Sequence, residues 1–184
     1  MKDDLRIKKI DKKDEEEFNK IIINSFTKSP QLPILLKKPK KTKKLMIYLM
    51  DLYKNTGKVT KFAVKKDKKL LCSGFCIDSD AKPKIYNLLK FGFKTFLLLG
   101  FRGIKELNSC KKNKPKYEKI CLELMLFGTH ENHQKMGLGK KMLDFLYDYA
   151  KKNNYAGVTG VTNKSKAAYK FYKKEGWVDD NNFN

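Results

Sequence analysis

Apolar and charged residues alternate from Leu5 to Ile10, the period-two pattern of a half-buried strand. Acidic residues dominate positions 11–17, and Phe18, Ile21, Ile22 and Phe26 follow at the spacing of one helical face. Carboxylates in a first turn complement the helix dipole, so this is where a helix begins. Pro30, Pro33 and Pro39 interrupt the pattern with a loop that carries Ile34, Leu35 and Leu36. The helical period returns with Leu45, Leu49, Leu52 and Tyr53, predicting a second helix over about 41–55 that closes at Gly57. Residues 59–64 and 70–77 read as two strands of a hairpin, with 65–69 as its polar turn.

Residues 83–110 are rich in Leu and Phe, broken by Gly92, Gly100 and Gly103, and dotted with Lys84, Lys90, Lys94 and Arg102. They predict one or two helices packed on the domain surface or covering a cleft. The alternative is a basic amphipathic segment lying at a membrane interface. A charged linker over 111–116 leads to an apolar run, 120–127, interrupted only by Glu123, as in a central strand covered on both faces. Leu138, Met142, Leu146 and Tyr149 then keep helical spacing up to Asn153 and Asn154. A short strand over 158–162 precedes a last helix, 164–174, with Asn163 as N-cap and Gly176 at its close.

A chain of 184 residues with no internal repeat and no linker of domain-boundary type is expected to form one domain, 1–184. Hydrophobic residues at 41% and charged residues at 34% exclude a disordered chain. The net charge of +22 would suit nucleic acid, an anionic membrane or an acidic substrate. Arg6 and Arg102 are the only arginines, however, and nucleic-acid readers depend on the forked guanidinium, so no nucleic-acid partner is expected. Cys72, Cys76, Cys110 and Cys121 fall in no zinc-ligand spacing and fit reduced thiols, Cys72 and Cys76 on one strand face. The N-terminal segment lacks a signal-peptide core, and no run approaches the ~20 apolar residues of a spanning helix, which predicts a cytoplasmic protein.

Chemistry concentrates between His130 and Lys141, where Gly137 and Gly139 stand at a strand-to-helix junction. Glycine tolerates positive φ and leaves no Cβ between backbone and ligand. A turn built that way aims backbone N–H groups into one concavity, and the next helix adds its orphan donors and positive dipole end. Such a nest binds phosphate, and Lys135, Lys140 and Lys141 would surround it with point charges. His130 and His133 lie in the same loop, with no third metal ligand near in sequence, and read as residues packed near the bound group.

Gln134-Lys135-Met136-Gly137-Leu138-Gly139 resembles the Gln/Arg-x-x-Gly-x-Gly/Ala signature of the GNAT superfamily of acyl-CoA N-acyltransferases. Phe127, Gly128 and Thr129 look like the strand end that the family runs into its pyrophosphate loop, where a β-bulge splays two neighbouring strands. Asn163, Ala167, Phe171, Tyr172, Gly176 and Trp177 look like the family's closing helix. The match is specific over the last third of the chain and elsewhere rests on element order. It implies an α+β fold: a mostly antiparallel twisted sheet flanked by helices, with a helical insertion at about 83–116 before the central strand. It also implies acetyl-CoA as co-substrate, held by Phe127, Gly128, Thr129, Gln134 to Lys140 and Asn163, with no metal.

The resemblance further implies acetyl transfer to a primary amine. The attacking amine must be neutral, although a free ammonium has a pKa near ~10.4, so a base is needed, directly or through water. Glu123, the one carboxylate in the central strand, is the candidate; otherwise it is a strand glutamate facing solvent or paired with a lysine. Half-buried, it would have a raised pKa. Tyr172 is the candidate acid toward the leaving thiolate, with Tyr169 a weaker substitute and a plain core aromatic as the other reading. Backbone N–H groups around Gly128 and Thr129 are expected to serve the oxyanion. Lys135 stands where many relatives have glycine and Glu131 where proline is common. Relatives also continue past the Gly-aromatic pair with further strand; here 178–184 remain, so the sheet is cut short, the chain truncated, or the sheet completed by a partner chain, as in a homodimer. The other function classes are an acyl-CoA sensor without turnover and a basic nucleic-acid or membrane-surface module. The acceptor, a small molecule or a peptide amine, is not readable.

Overall fold

The computed structural model describes residues 5–28, 33–112, 117–162, 164 and 167–179. Strand β1 (Leu5–Lys9) leads through a 3-10 turn to α1 (Glu15–Lys28), then α2 (Pro39–Leu52) and the hairpin of β2 (Val59–Lys66) and β3 (Lys69–Asp78). Next come α3 (Ile85–Lys112), β4 (Leu122–Thr129), α4 (Leu138–Lys152), β5 (Val158–Thr159) and α5 (Ala167–Lys174). The five strands form one sheet in sequence order, antiparallel except for the parallel pair β4–β5. The expected α+β architecture is the observed one, with the helical insertion α3 before β4; that strand is the fourth of the five, with β3 in the middle of the sheet.

Each sheet face carries its own core. Phe18, Ile22, Leu45, Phe75 and Ile77 pack with α1 and α2 on one side. Phe62, Cys72, Cys76, Leu143 and Leu146 pack with α4 on the other. Cys72 and Cys76 do share a face, and burial pushes the Cys72 thiol up to about 12. Cys72, Cys76 and Cys121 are free and buried.

Several boundaries differ from the sequence expectation. The β2–β3 pairing runs to Lys66↔Lys69, so the hairpin turn is Asp67-Lys68, with Asp67 at φ 53°, instead of five residues. Cross-strand pairing draws Lys65 and Lys66 into the ladder although neither is a strand former. Asp14 does not begin the helix as a dipole complement: it is buried in the 3-10 turn, where both carboxylate oxygens accept from Lys65 Nζ at 2.9 and 2.8 Å. Glu17 accepts from the Leu70 N–H, so the acidic run docks α1 onto the hairpin. In α3, Gly100 takes φ 67° and ψ −170° and splits the element into two helical stretches.

The β-bulge lies inside β4, earlier than the strand end where the resemblance placed it. Phe75 pairs with Leu126 and Cys76 with Leu124, leaving Met125 as the extra residue. Met125 and Leu126 both pack on the α1–α2 side, whereas Leu124 and Phe127 pack on the α4 side. Gly128 has a different task. A Cβ there would meet Ser25 Oγ at 2.5 Å and Ile21 O at 3.1 Å, so the glycine lets α1 lie directly on β4.

Candidate active site

The bulge and the short β5 together open the sheet. β4 and β5 pair only at Leu122↔Val158 and Glu123↔Thr159, then diverge, which shortens the expected strand 158–162 to two residues. The His130 N–H donates to Leu71 O at 2.9 Å. By the alternation of an antiparallel ladder, the Gly128 N–H also points to β3, while those of Phe127 and Thr129 point into the opening. Of the N–H groups around Gly128 and Thr129, those of Phe127 and Thr129 are therefore the ones that face the opening; the ladder takes up that of Gly128.

At the mouth of the opening, a 3-10 turn (Glu131–His133) carries the chain to α4. His130 Nδ1 accepts from the Asn132 N–H at 3.3 Å, so this histidine caps the turn. Glu131 forms an ion pair with Lys28 at the end of α1; the hydrogen bond and charge of Lys28 hold its carboxyl below the usual range. Gln134 is extended, Lys135 is left-handed at φ 63°, and Gly137 is the N-cap of α4 at φ 74°. Apart from its own chain neighbours, no atom of the described residues lies within 4 Å of where a Gly137 Cβ would stand. The turn is thus open on that side of Gly137, next to the first N–H groups of α4, which a helix leaves without intrahelical partners and which suit a phosphate.

Other members of the signature have packing roles. A Cβ on Gly139 would meet Phe171 Cζ at 3.0 Å, so this glycine seats α5 against α4. Leu138 is buried in the α4-side core and offers only its backbone, and Met136 is largely exposed. Lys140 turns to Asp144 at 3.2 Å and Glu175 at 3.3 Å, whose hydrogen bonds raise its pKa. Asn163 lies outside the described residues.

Left-handed backbone at a lysine is strained. Lys135→Gly should relieve about 1–2 kcal/mol of that strain and return part of it as unfolded-chain entropy. The expected net gain is about 0.5–1 kcal/mol, read as a higher denaturant midpoint at unchanged m-value.

The two candidate catalytic side chains flank the root of the opening from opposite faces. Leu122 and Leu124 point to α4, so Glu123, 5% exposed, points to the α1–α2 side. Its carboxylate adds to burial in raising the pKa of Tyr53, at the end of α2, and in the same way that of Cys76. Tyr53, read from the sequence as core, is thus a neighbour of the site, which only the α2-to-sheet packing could reveal. Tyr172 is half-buried on the α4 side, its ring 4.6 Å from Trp177 and 5.3 Å from Phe171. Burial pushes its phenol upward, and the thiols of Cys72 and Cys76 and the Tyr147 hydroxyl add to this. Cys76 lies within electrostatic reach of both Glu123 and Tyr172. Tyr169 instead donates to Asp179 at 2.9 Å. Phe127 and Phe171 stack at 6.5 Å beside Gly139.

A cavity of about 610 Å³ lies past β5, lined by Tyr147, Val158, Thr159, Tyr172 and Trp177 among others. Residues 130–139 do not line it, so this cavity and the phosphate-type loop are separate places.

No curated protein sequence matches the chain. The fold is shared with a predicted acetyltransferase from Clostridium acetobutylicum solved with acetyl-CoA, at 17% identity and TM-score 0.53, covering 96% of this chain and 92% of that one. It is shared also with an aminoglycoside acetyltransferase from an uncultured soil metagenomic sample in complex with sisomicin, at 13% identity and TM-score 0.56, covering 96% and 90%. A ribosomal-protein-alanine N-acetyltransferase from Brucella melitensis biovar Abortus 2308 matches at 12% identity and TM-score 0.53, covering 95% and 94%. Residues 85–177, just over half of the chain, match the family described as Acetyltransferase (GNAT) family. That span holds the bulged strand, the glycine-capped helix and the closing helix, and the chain belongs to the GNAT acetyltransferase family.

Proposed function

We propose that the protein transfers the acetyl group of acetyl-CoA to a primary amine by direct attack. The observation that carries this reading is the β4–β5 opening, which ends at the glycine-capped N-terminus of α4 and has Tyr172 on one face and Glu123 on the other. The pyrophosphate is held by the α4 N–H groups and the loop 134–137, with Lys135 and Lys141 at its rim. The Phe127 and Thr129 N–H groups, unpaired by β5, meet the amide and thioester oxygens. On the α1–α2 side Glu123 removes the ammonium proton, through a water because the carboxylate is buried. As the tetrahedral adduct collapses, Tyr172 donates a hydrogen bond to the departing sulfur. The helices α1 and α2 border the acceptor, whose class stays a small-molecule or peptide amine; the fold relative bound to sisomicin supports the small-molecule arm. The whole chain acts as one domain in this reading.

The test is release of free CoA from acetyl-CoA across a panel of amines, with products identified by mass. Tight acetyl-CoA binding without release on any amine would instead assign a sensor. Gly137→Glu places a side chain in a left-handed position and a carboxylate at the helix N-terminus, so acetyl-CoA affinity should fall well over ~10-fold with the fold intact. Unchanged affinity by calorimetry would remove the loop from the site.

A further inference from the structure

Before its kink, α3 presents an apolar face to solvent. Ile85, Leu89, Phe93 and Leu97 recur every fourth residue and are 66% to 71% exposed; Tyr86 is 68% exposed. At about 100° per residue these five and Phe96 fall within about 120° of the helix circumference, a sector that contains no charged residue. Past the kink, Phe101, 82% exposed, packs its ring edge on Phe96 at 4.8 Å and prolongs the patch. The opposite side, with Phe91, Thr95, Leu98 and Leu99, faces the α1–α2 core. So α3 does not cover the β4–β5 opening; it packs on α2 and turns its most hydrophobic side outward. A patch of this size needs a partner.

Charge identifies the partner. Between residues 81 and 112 the only acidic side chain is Glu106, against eight basic ones. Lys90 and Lys94 border the apolar sector, held over the rings of Tyr86 and Tyr48 at 5.7 and 5.0 Å. With Lys54, Asn55, Asn87 and the acidic Asp51 they line a groove of about 130 Å³ between α2 and α3. A second copy would bring another chain of net charge +22 and another lysine margin against this one, which like-charge repulsion opposes. An anionic phospholipid surface offers both an acyl layer for the apolar sector and phosphates for the lysines. We propose that α3 lies in the interface of an anionic bilayer, with the apolar sector among the acyl chains and Lys90 and Lys94 at the level of the headgroups. It lies on the membrane and does not cross it: among the described residues, no helix is long and apolar enough to span one.

The full chain should co-sediment with vesicles of phosphatidylcholine and phosphatidylserine, and much less with phosphatidylcholine alone. Because the positions face outward, Leu89→Ser/Phe93→Ser and Lys90→Gln/Lys94→Gln should both keep the parent circular dichroism and melting curve. Each pair should lower binding to the anionic vesicles about tenfold or more, and added salt should weaken the parent. Equal binding to neutral vesicles, or no binding to either, overturns the proposal. So does self-association of the parent in sedimentation equilibrium that Phe93→Ser abolishes, which would assign the face to a second copy.

Discussion

Tyr172→Phe is expected to lower kcat by about 10²–10⁴-fold while leaving acetyl-CoA affinity nearly unchanged. The substitution removes one oxygen and keeps the ring that packs on Trp177 and Phe171, so binding common to ground and transition states survives. What is lost is an interaction that strengthens only as negative charge grows on the sulfur. Burial keeps the phenol protonated above its ordinary range, so the donor is present across the working pH. The same burial makes complete proton transfer uphill, which favours a strong hydrogen bond to the sulfur over formation of phenolate. A thiol ionises near ~8.5, and above that value free CoA leaves readily as thiolate, so the deficit should shrink as pH rises. Parent-like kcat at neutral pH would sink the assignment. An equal loss in acetyl-CoA affinity would make Tyr172 a packing residue.

Glu123→Gln should cost a comparable factor, about 10²–10⁴ in kcat/KM for the amine at neutral pH. The amide is nearly the same size and keeps hydrogen-bonding capacity in a buried place, so a parent-like melting curve is expected. Near neutral pH only about one primary amine in a thousand or fewer is uncharged, given an ammonium pKa near ~10.4, and a base removes that penalty. Raising the pH supplies neutral amine without a base, so this variant should recover as well, but toward the amine pKa and not toward that of the thiol. The two pH profiles therefore separate the roles: Tyr172→Phe recovers first, Glu123→Gln later. A flat ratio of parent to Glu123→Gln rates across that range would show that the carboxylate moves no proton.

Much of the scaffold was legible because its signals are local. The alternation from Leu5, the helical stripe Leu138, Met142, Leu146, and the glycine pair at 137 and 139 each depend on a few neighbouring residues, and each stands where expected. The loop's conformation was only half legible. Gly137 takes the positive φ that glycine permits, whereas Lys135 takes one that its residue type disfavours, held by the turn on either side. The pairing of Lys140 with Glu175, just past α5, was not legible at all, because no local pattern connects those two parts of the chain.

The sequence by itself determined which segments become strands and helices, and which short stretch offers unpaired N–H groups at a helix start. Those outcomes follow from periodicity, capping and the steric freedom of glycine. The tertiary structure alone decided which face of the sheet each candidate group occupies. One extra residue at Met125 reverses the side-chain parity along β4, so Glu123 and Phe127 face opposite sides although they are an even number of residues apart. That bulge is set by pairing with β3, a contact distant in sequence. The outward apolar face of α3 has the same origin: the helix has apolar residues on nearly every side, and only its packing on α2 selects which of them remain in solvent.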